Sequence, residues 1–122
     1  MSYTSEQWRL AITRLLALTA KNELKWGPSS LYEGDAWTTV DSSFQAENNG
    51  KAYVVSRTRR RHYVDEAEFF WEGDFNLSIY QEKFDGFQHI ATAPSLSSLS
   101  DLYDAAEANL AYNHNALGDL LA

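Results

Sequence analysis

The chain has 122 residues, 44% of them hydrophobic and 14% aromatic, which is enough to bury a core without disulfides. It contains no cysteine, so a disulfide framework and a thiolate metal site are excluded. Its formal charge of −7 argues against direct binding to nucleic acids or anionic membranes, because both require attraction to phosphate. We expect one domain over residues 1–122. The N-terminus lacks a basic start and an apolar run, which predicts a cytoplasmic location.

The charge is divided unevenly along the chain. Residues 1–61 hold nine basic and six acidic side chains, whereas residues 62–122 hold one basic and eleven acidic side chains. The basic half ends in four clustered arginines. Such asymmetry favours association with a charged partner, because the summed field of a surface steers its encounters.

The N-terminal segment predicts a helix over about residues 5–22. Thr4 and Gln7 have the spacing of a capping box, and apolar residues follow at helical spacing. A Gly-Pro pair at 27–28 ends this pattern, so the following residues are interpreted as a connection.

Alternating apolar and polar residues predict a first β-hairpin with strands over about 36–46 and 51–61. The Asn49-Gly50 pair suits a tight turn, because both residues tolerate positive φ. A two-residue turn at this pair places Phe44 opposite Val55, which keeps apolar side chains on one shared face.

A second hairpin is predicted with strands over about 68–82 and 87–93. Its turn is assigned to the Asp85-Gly86 pair. A two-residue turn there places His89 opposite Glu82.

The C-terminal part predicts a helix over about 98–112, followed by a short turn or tail over 113–122. Four strands with a one-sided apolar pattern need a cover, which two amphipathic helices supply. The predicted fold is therefore α+β, with an antiparallel four-stranded meander of two β-hairpins and both helices packed on one face. We expect polar and aromatic residues on the opposite face.

The arginine cluster is a candidate anion-binding site. On a strand, Arg57, Arg59 and Arg61 share one face, whereas Arg60 and His62 take the other. Guanidinium groups in a row grip phosphates or carboxylates in bidentate fashion. The simpler interpretation is pairing within the chain, and the nearest acidic candidates are Asp41, Glu66, Glu68 and Asp74.

Asp101, Asp104 and Glu107 fall near one side of the last predicted helix. They form either a solvated helix face or an acidic surface that docks on a basic partner. A nucleic-acid mimic would require such carboxylates to spread over one continuous surface.

Phe69, Phe70 and Trp71 are adjacent residues of a predicted strand. Adjacent strand residues alternate between faces, so the three rings do not all enter one core. At least one is expected to point outward, where it can anchor a partner. Outward aromatic residues near an edge strand also allow a homodimer.

Catalysis has little support, because the three histidines lie far apart and no phosphate loop, nucleophile elbow or metal-ligand spacing is present. We predict no catalytic residue, cofactor or metal. The leading hypothesis is a protein-binding module or inhibitor, of the kind made by phages or mobile elements. It would act through an acidic, aromatic-bearing surface on a protein with a basic surface. The alternatives are a nucleic-acid-mimicking inhibitor, and a small-ligand domain or enzyme with its site between sheet and helices.

Overall fold

A computed structural model describes residues 1–121 and shows an α+β fold with a five-stranded antiparallel sheet and three helices. The strand order β1-β2-β3-β4-β5 is a meander, because neighbours along the chain are neighbours in the sheet. The α+β class and the antiparallel meander are therefore confirmed. The elements are α1 (Ser5–Ala20), β1 (Gly27–Pro28), β2 (Thr38–Asn48), β3 (Lys51–Tyr63), β4 (Phe69–Lys83), β5 (Gly86–Thr92), α2 (Ser98–Asn113) and α3 (Gly118–Leu121).

The prediction of four strands is wrong, because the two-residue strand β1 adds a fifth at the outer edge of β2. Gly27 lies opposite Gln45, and Pro28 lies opposite Phe44. Two residues are too few to show a strand alternation. Proline is accepted at a sheet edge, where its missing N–H is not needed.

The helix boundaries follow local signals. Thr4 Oγ1 accepts a hydrogen bond from the Gln7 N–H at 3.1 Å, and Gln7 Oε1 accepts one from the Thr4 N–H at 2.8 Å, so the capping box is confirmed. The first helix ends at Ala20, and Asn22 then takes the left-handed conformation with φ of 58°. The predicted C-terminal tail contains α3, and its last residue lies outside the described part of the chain.

Both long helices cover one face of the sheet, as predicted. Their apolar sides meet Val55 of β3 and Leu77 of β4, which are fully buried. Burial of this kind contributes roughly 1.5–3 kcal/mol for each large side chain, so it is the main source of stability. The helix residues buried in this core are Trp8, Ile12, Leu15, Leu99, Leu102, Tyr103 and Ala106.

The opposite face is not left open along its whole length. Ala52, Val54 and Tyr80 are buried there beneath Leu31 and Tyr32 of the connection before β2. The Tyr80 hydroxyl donates to the Leu31 carbonyl at 3.3 Å, which ties the connection to the sheet. In this half of the sheet the face on which polar and aromatic residues were expected therefore also carries a small buried cluster.

The first hairpin has the predicted register, since Phe44 lies opposite Val55. The second hairpin turns one residue earlier than predicted, at Phe84 and Asp85. In this register His89 lies opposite Tyr80 and not Glu82. The shifted turn makes the prediction of a facing His89 and Glu82 wrong.

One end of the sheet extends beyond its neighbours. The first half of β4 pairs with the second half of β3, whereas β5 pairs with β4 only from Ser78 onward. Residues 59–63 and 69–74 are accordingly exposed. Within residues 1–121, none of the helices has the length and apolar character needed to span a membrane.

A candidate binding surface of arginines and aromatic rings

The exposed end of the sheet carries arginines and aromatic rings side by side. Alternation along β3 and β4 directs the odd-numbered residues there to the same side as Val55 and Leu77, which is the side of the helices. In the register of these two strands, Arg61 lies opposite Trp71, and Tyr63 lies opposite Phe69, the first residue of β4. We call the following set the Arg–aromatic surface: Trp37, Arg59, Arg61, Tyr63, Phe69 and Trp71.

The aromatic rings of this surface form a continuous row that runs from the residue before β2, across β3, to the start of β4. Trp37 meets Tyr63 edge-on with ring centroids 6.3 Å apart. Tyr63 meets Phe69 at 5.5 Å, and Phe69 meets Trp71 edge-on at 5.8 Å. These separations lie in the range where aromatic pairs attract each other beyond the area they bury.

The arginines lie over these rings. The Arg61 guanidinium is 5.2 Å from the Phe69 ring centroid and 5.3 Å from that of Trp71. Arg59 lies 4.9 Å from the Trp71 ring centroid, and its Nε donates to Asp41 Oδ1 at 2.8 Å. The rings and the carboxylate therefore hold both guanidinium groups in defined positions.

Pairing within the chain accounts for only one member of the arginine cluster. Arg59 pairs with Asp41, whereas Arg57 lies over the Tyr103 ring at 5.5 Å from its centroid. In the described part of the chain, Arg57, Arg60 and Arg61 form no ion pair with a carboxylate. Glu66, Glu68 and Asp74, which were candidates for such pairing, therefore do not neutralise the cluster through direct contacts.

The four rings of the Arg–aromatic surface are between 42% and 56% exposed. Large aromatic side chains normally bury most of their area in a core or in an interface. Contiguous rings left open to water, rimmed by polar groups, are typical of a surface that binds a partner.

Trp37 belongs to this surface because of a local turn that precedes β2. Asp35 Oδ1 accepts hydrogen bonds from the N–H groups of Trp37 and Thr38, each at 2.8 Å. The bond from the Trp37 N–H is the main cause that lowers the pKa of the Asp35 carboxyl below its ordinary value. Sequence reasoning missed Trp37 and Tyr63. The Asp-x-Trp spacing is a local turn signal, but the contact with Tyr63 depends on strand pairing.

Phe70 lies on the other face of the same strands, apart from Phe69 and Trp71. Its ring packs on the His62 ring with centroids 4.8 Å apart. His62 Nδ1 lies 3.7 Å from a carboxylate oxygen of Glu72. All three adjacent rings are therefore exposed, but only Phe69 and Trp71 contribute to the Arg–aromatic surface.

The acidic candidates lie elsewhere, on α2. Asp101, Asp104 and Glu107 are exposed, and none forms an ion pair within residues 1–121. Glu107 accepts a long hydrogen bond of 3.5 Å from the Tyr103 hydroxyl, which also bonds to Ser42. No ring contact or hydrogen bond in the described chain joins these carboxylates to Phe69, Phe70 or Trp71. The structure thus connects the aromatic candidates with the arginines and not with the acidic helix.

The predicted alternative of a ligand site between sheet and helices can be compared with the grooves found there. Residues 1–121 contain no group of three His, Cys, Asp or Glu side chains placed to hold a metal ion. Two grooves, of about 350 and 500 Å³, lie between α1 and the sheet near Trp8 and Tyr53. Neither groove is lined by a histidine or a carboxylate. These grooves therefore lack the converging titratable groups expected of an enzyme site.

Comparisons with protein families, with curated protein sequences and with solved structures found no match to this chain.

Proposed function

We propose that the chain is a non-enzymatic protein-binding module and that its partner contacts the Arg–aromatic surface. The observation that carries this proposal is the continuous row of half-exposed rings interleaved with Arg59 and Arg61. Tryptophan, tyrosine and arginine are the residue types that dominate the energy of protein interfaces.

The arrangement also limits the entropy that binding would cost. A free arginine loses rotamer freedom when a partner immobilises it. Arg59 is already held by the Trp71 ring and by Asp41, and Arg61 is held by two rings. A partner group would therefore meet guanidinium donors that are largely ordered beforehand.

The charges of the surface favour a partner that presents carboxylates beside apolar side chains. Two guanidinium groups face one carboxylate, that of Asp41, so the surface has a local positive excess. This differs from the basic partner expected from the sequence, since that expectation required the acidic helix to lie beside the aromatic residues. Three exposed carboxylates on one helix also describe an ordinary solvated face.

Single-stranded nucleic acid is the competing ligand, because stacked rings and arginines also bind bases and phosphates. The loop between β3 and β4 argues against it. Asp65, Glu66 and Glu68 lie in this loop at the end of the surface, where they repel an extended polyanion that must continue past Arg59 and Arg61, whereas a single partner carboxylate can sit at the two arginines alone. The overall charge of −7 acts in the same direction.

Trp37→Ala tests the proposal, with Phe84→Ala as the matched control. Phe84 is a fully exposed ring at the turn of the other hairpin, outside the Arg–aromatic surface. Immobilised wild-type protein should retain a partner from nuclease-treated lysate, and Phe84→Ala should retain it equally. Trp37→Ala should weaken binding of that partner, once purified, by about tenfold or more, because hot-spot rings contribute roughly 2 kcal/mol.

Two results would contradict the proposal. Equal affinities of the Trp37→Ala and Phe84→Ala variants would remove the Arg–aromatic surface from the interface. A partner that is captured from untreated lysate but not from nuclease-treated lysate would instead identify a nucleic acid as the ligand.

A further inference from the structure

The first half of β4 has a neighbouring strand on one side only. β3 pairs with it over its whole length, whereas β5 begins to pair at Ser78. One residue nearer the start of β4, the Leu77 carbonyl accepts a hydrogen bond from the Ala93 N–H at 2.9 Å. After Ala93 the chain leaves the sheet. The stretch from Phe69 to Asn76 therefore presents an open edge.

The hydrogen-bonding groups that point out of this edge are those of the odd-numbered residues. The Leu77 carbonyl bonds toward the β5 side, and the Glu82 N–H bonds to the Gly50 carbonyl on the β3 side. Because such groups alternate along an antiparallel strand, the N–H groups of Phe69, Trp71 and Gly73 point outward. The next outward N–H, that of Phe75, is already bonded to Asp74 Oδ1 at 2.8 Å. Three consecutive outward donors are thus left without a partner on that side within residues 1–121.

The other long edges are protected. On β2, the outer N–H of Thr38 bonds to Asp35, and the backbone near Gly34 lies against the Thr38 carbonyl. On β5, the pairing with β4 is irregular opposite Tyr80, and Pro94 follows the strand. Short, irregular or covered edges are the usual means by which sheets avoid pairing with other chains. The edge of β4 is regular from residue 69 to residue 77 and carries neither proline nor lysine.

We propose that two copies of this chain form a dimer by antiparallel pairing of their β4 edges, centred on Trp71. In this register Trp71 lies opposite Trp71 of the second copy, and Phe69 lies opposite Gly73 of the second copy. The two-fold axis is perpendicular to the sheet, so outward groups meet outward groups and each face continues into the same face.

This register fits the groups that are available. It uses the three unpaired N–H groups of each copy, giving six backbone hydrogen bonds in all, and it leaves the Phe75 N–H with Asp74. The Phe69 ring of one copy covers the space that Gly73 leaves on the other. On the far face Glu72 lies opposite Phe70, and the only directly opposed carboxylates, those of Asp74 and Glu68, stand exposed at the two ends of the pairing, where water screens them.

The dimer would join the two sheets into one, with both Arg–aromatic surfaces on the same side. Bivalent binding would follow, and that consequence alone rests on the proposed function. A partner with two matching sites would then bind more tightly than one with a single site.

The test compares Gly73→Pro with Gly73→Ala by sedimentation velocity, from low-micromolar to near-millimolar protein. Proline removes an outward N–H that β3 does not use, so the monomer is expected to keep its sheet. Alanine keeps that N–H and has room, since the nearest atom to the added Cβ is the Thr58 carbonyl oxygen at 3.9 Å. Wild type and Gly73→Ala should move from one chain to two with rising concentration. Gly73→Pro should associate at least tenfold more weakly.

Hydrogen exchange of the wild-type amides provides a second measurement that needs no variant. The amides of Phe69, Trp71 and Gly73 should become protected as concentration rises, whereas that of Phe75 should not change. A wild-type chain that stays monomeric at all concentrations would overturn the proposal. So would a dimer that survives Gly73→Pro, or one that leaves these three amides unprotected.

Failure of this proposal and failure of the proposed function give different results. Trp37 lies two strands away from the β4 edge, so Trp37→Ala should leave the dimer intact while it weakens partner binding. Gly73→Pro should leave the single-site affinity for the partner intact. Salt adds a further distinction, because it screens Arg–carboxylate contacts but does not weaken backbone pairing between two acidic chains.

Discussion

Replacing Trp71 with alanine tests whether the Arg–aromatic surface exists in solution as the structure shows it. The Trp71 ring contacts the Arg59 guanidinium at 4.9 Å, the Arg61 guanidinium at 5.3 Å and the Phe69 ring at 5.8 Å. An exposed cation–π contact contributes about 0.5–1 kcal/mol, and an edge-on aromatic pair contributes about 0.5–1.5 kcal/mol. Loss of all three contacts should lower the free energy of unfolding by about 1.5–3.5 kcal/mol.

The assay is urea unfolding followed by far-ultraviolet circular dichroism, which does not depend on the tryptophan signal that the substitution removes. Because Trp71 also lies on the proposed dimer edge, the measurement is made at low-micromolar protein and repeated at a tenfold lower concentration. Phe84→Ala is the control. Its fully exposed ring makes no aromatic contact in the described chain, so its effect should stay within about 0.5 kcal/mol.

A double-mutant cycle with Arg59→Ala and Trp71→Ala isolates the contact itself. The expected coupling is about 0.5–1 kcal/mol, since the guanidinium lies directly over an exposed ring. If Trp71→Ala were no more destabilising than Phe84→Ala, and the coupling were zero, the ordered arginines on which the proposed function depends would not exist.

Two further predictions concern groups that position the fold and the surface. The backbone N–H of the buried Trp26 bonds to Asn109 Oδ1 at 2.9 Å, and Asn109→Leu leaves it without an acceptor. The substitution should therefore lower the free energy of unfolding in urea by about 1–3 kcal/mol, and an unchanged unfolding midpoint would contradict this. Asp35 has a lowered pKa in the folded state, caused mainly by the Trp37 N–H, so its stabilising contribution is present above the carboxyl's unfolded pKa and is lost as pH falls through the folded pKa. The difference in free energy of unfolding between wild type and Asp35→Ala should therefore be larger at pH 7 than in strong acid. An equal difference at the two pH values would refute this prediction.

The first hairpin and the second show what local pattern can and cannot predict. At Asn49-Gly50 the turn residues both take positive φ, 54° and 76°, and the two-residue turn sets the predicted register. At the second hairpin, Gly86 takes a φ of 139° but begins the strand, and the turn forms before it. Glycine permits positive φ at several turn positions, so its presence alone does not fix which residues turn.

The packing of the connection before β2 on the sheet could not be predicted from the sequence pattern either. Leu31 and Tyr32 show no periodicity, yet they cover the buried cluster around Tyr80. Packing of this kind depends on where the loop crosses the sheet, which no local signal records.

Periodicity and turn signals along the chain were enough to predict the α+β class, the meander and the side of β3 on which Arg57, Arg59 and Arg61 lie, because strand alternation is a property of a single segment. The contacts that those arginines make depend instead on how the strands assemble. Strand pairing places Trp71 beneath two guanidinium groups, and it brings Trp37 against Tyr63 across 26 residues of chain. Such neighbours are set by register and by strand length relative to the helices. The contacts are long-range, so the chemistry of the surface emerges only once the sheet is assembled.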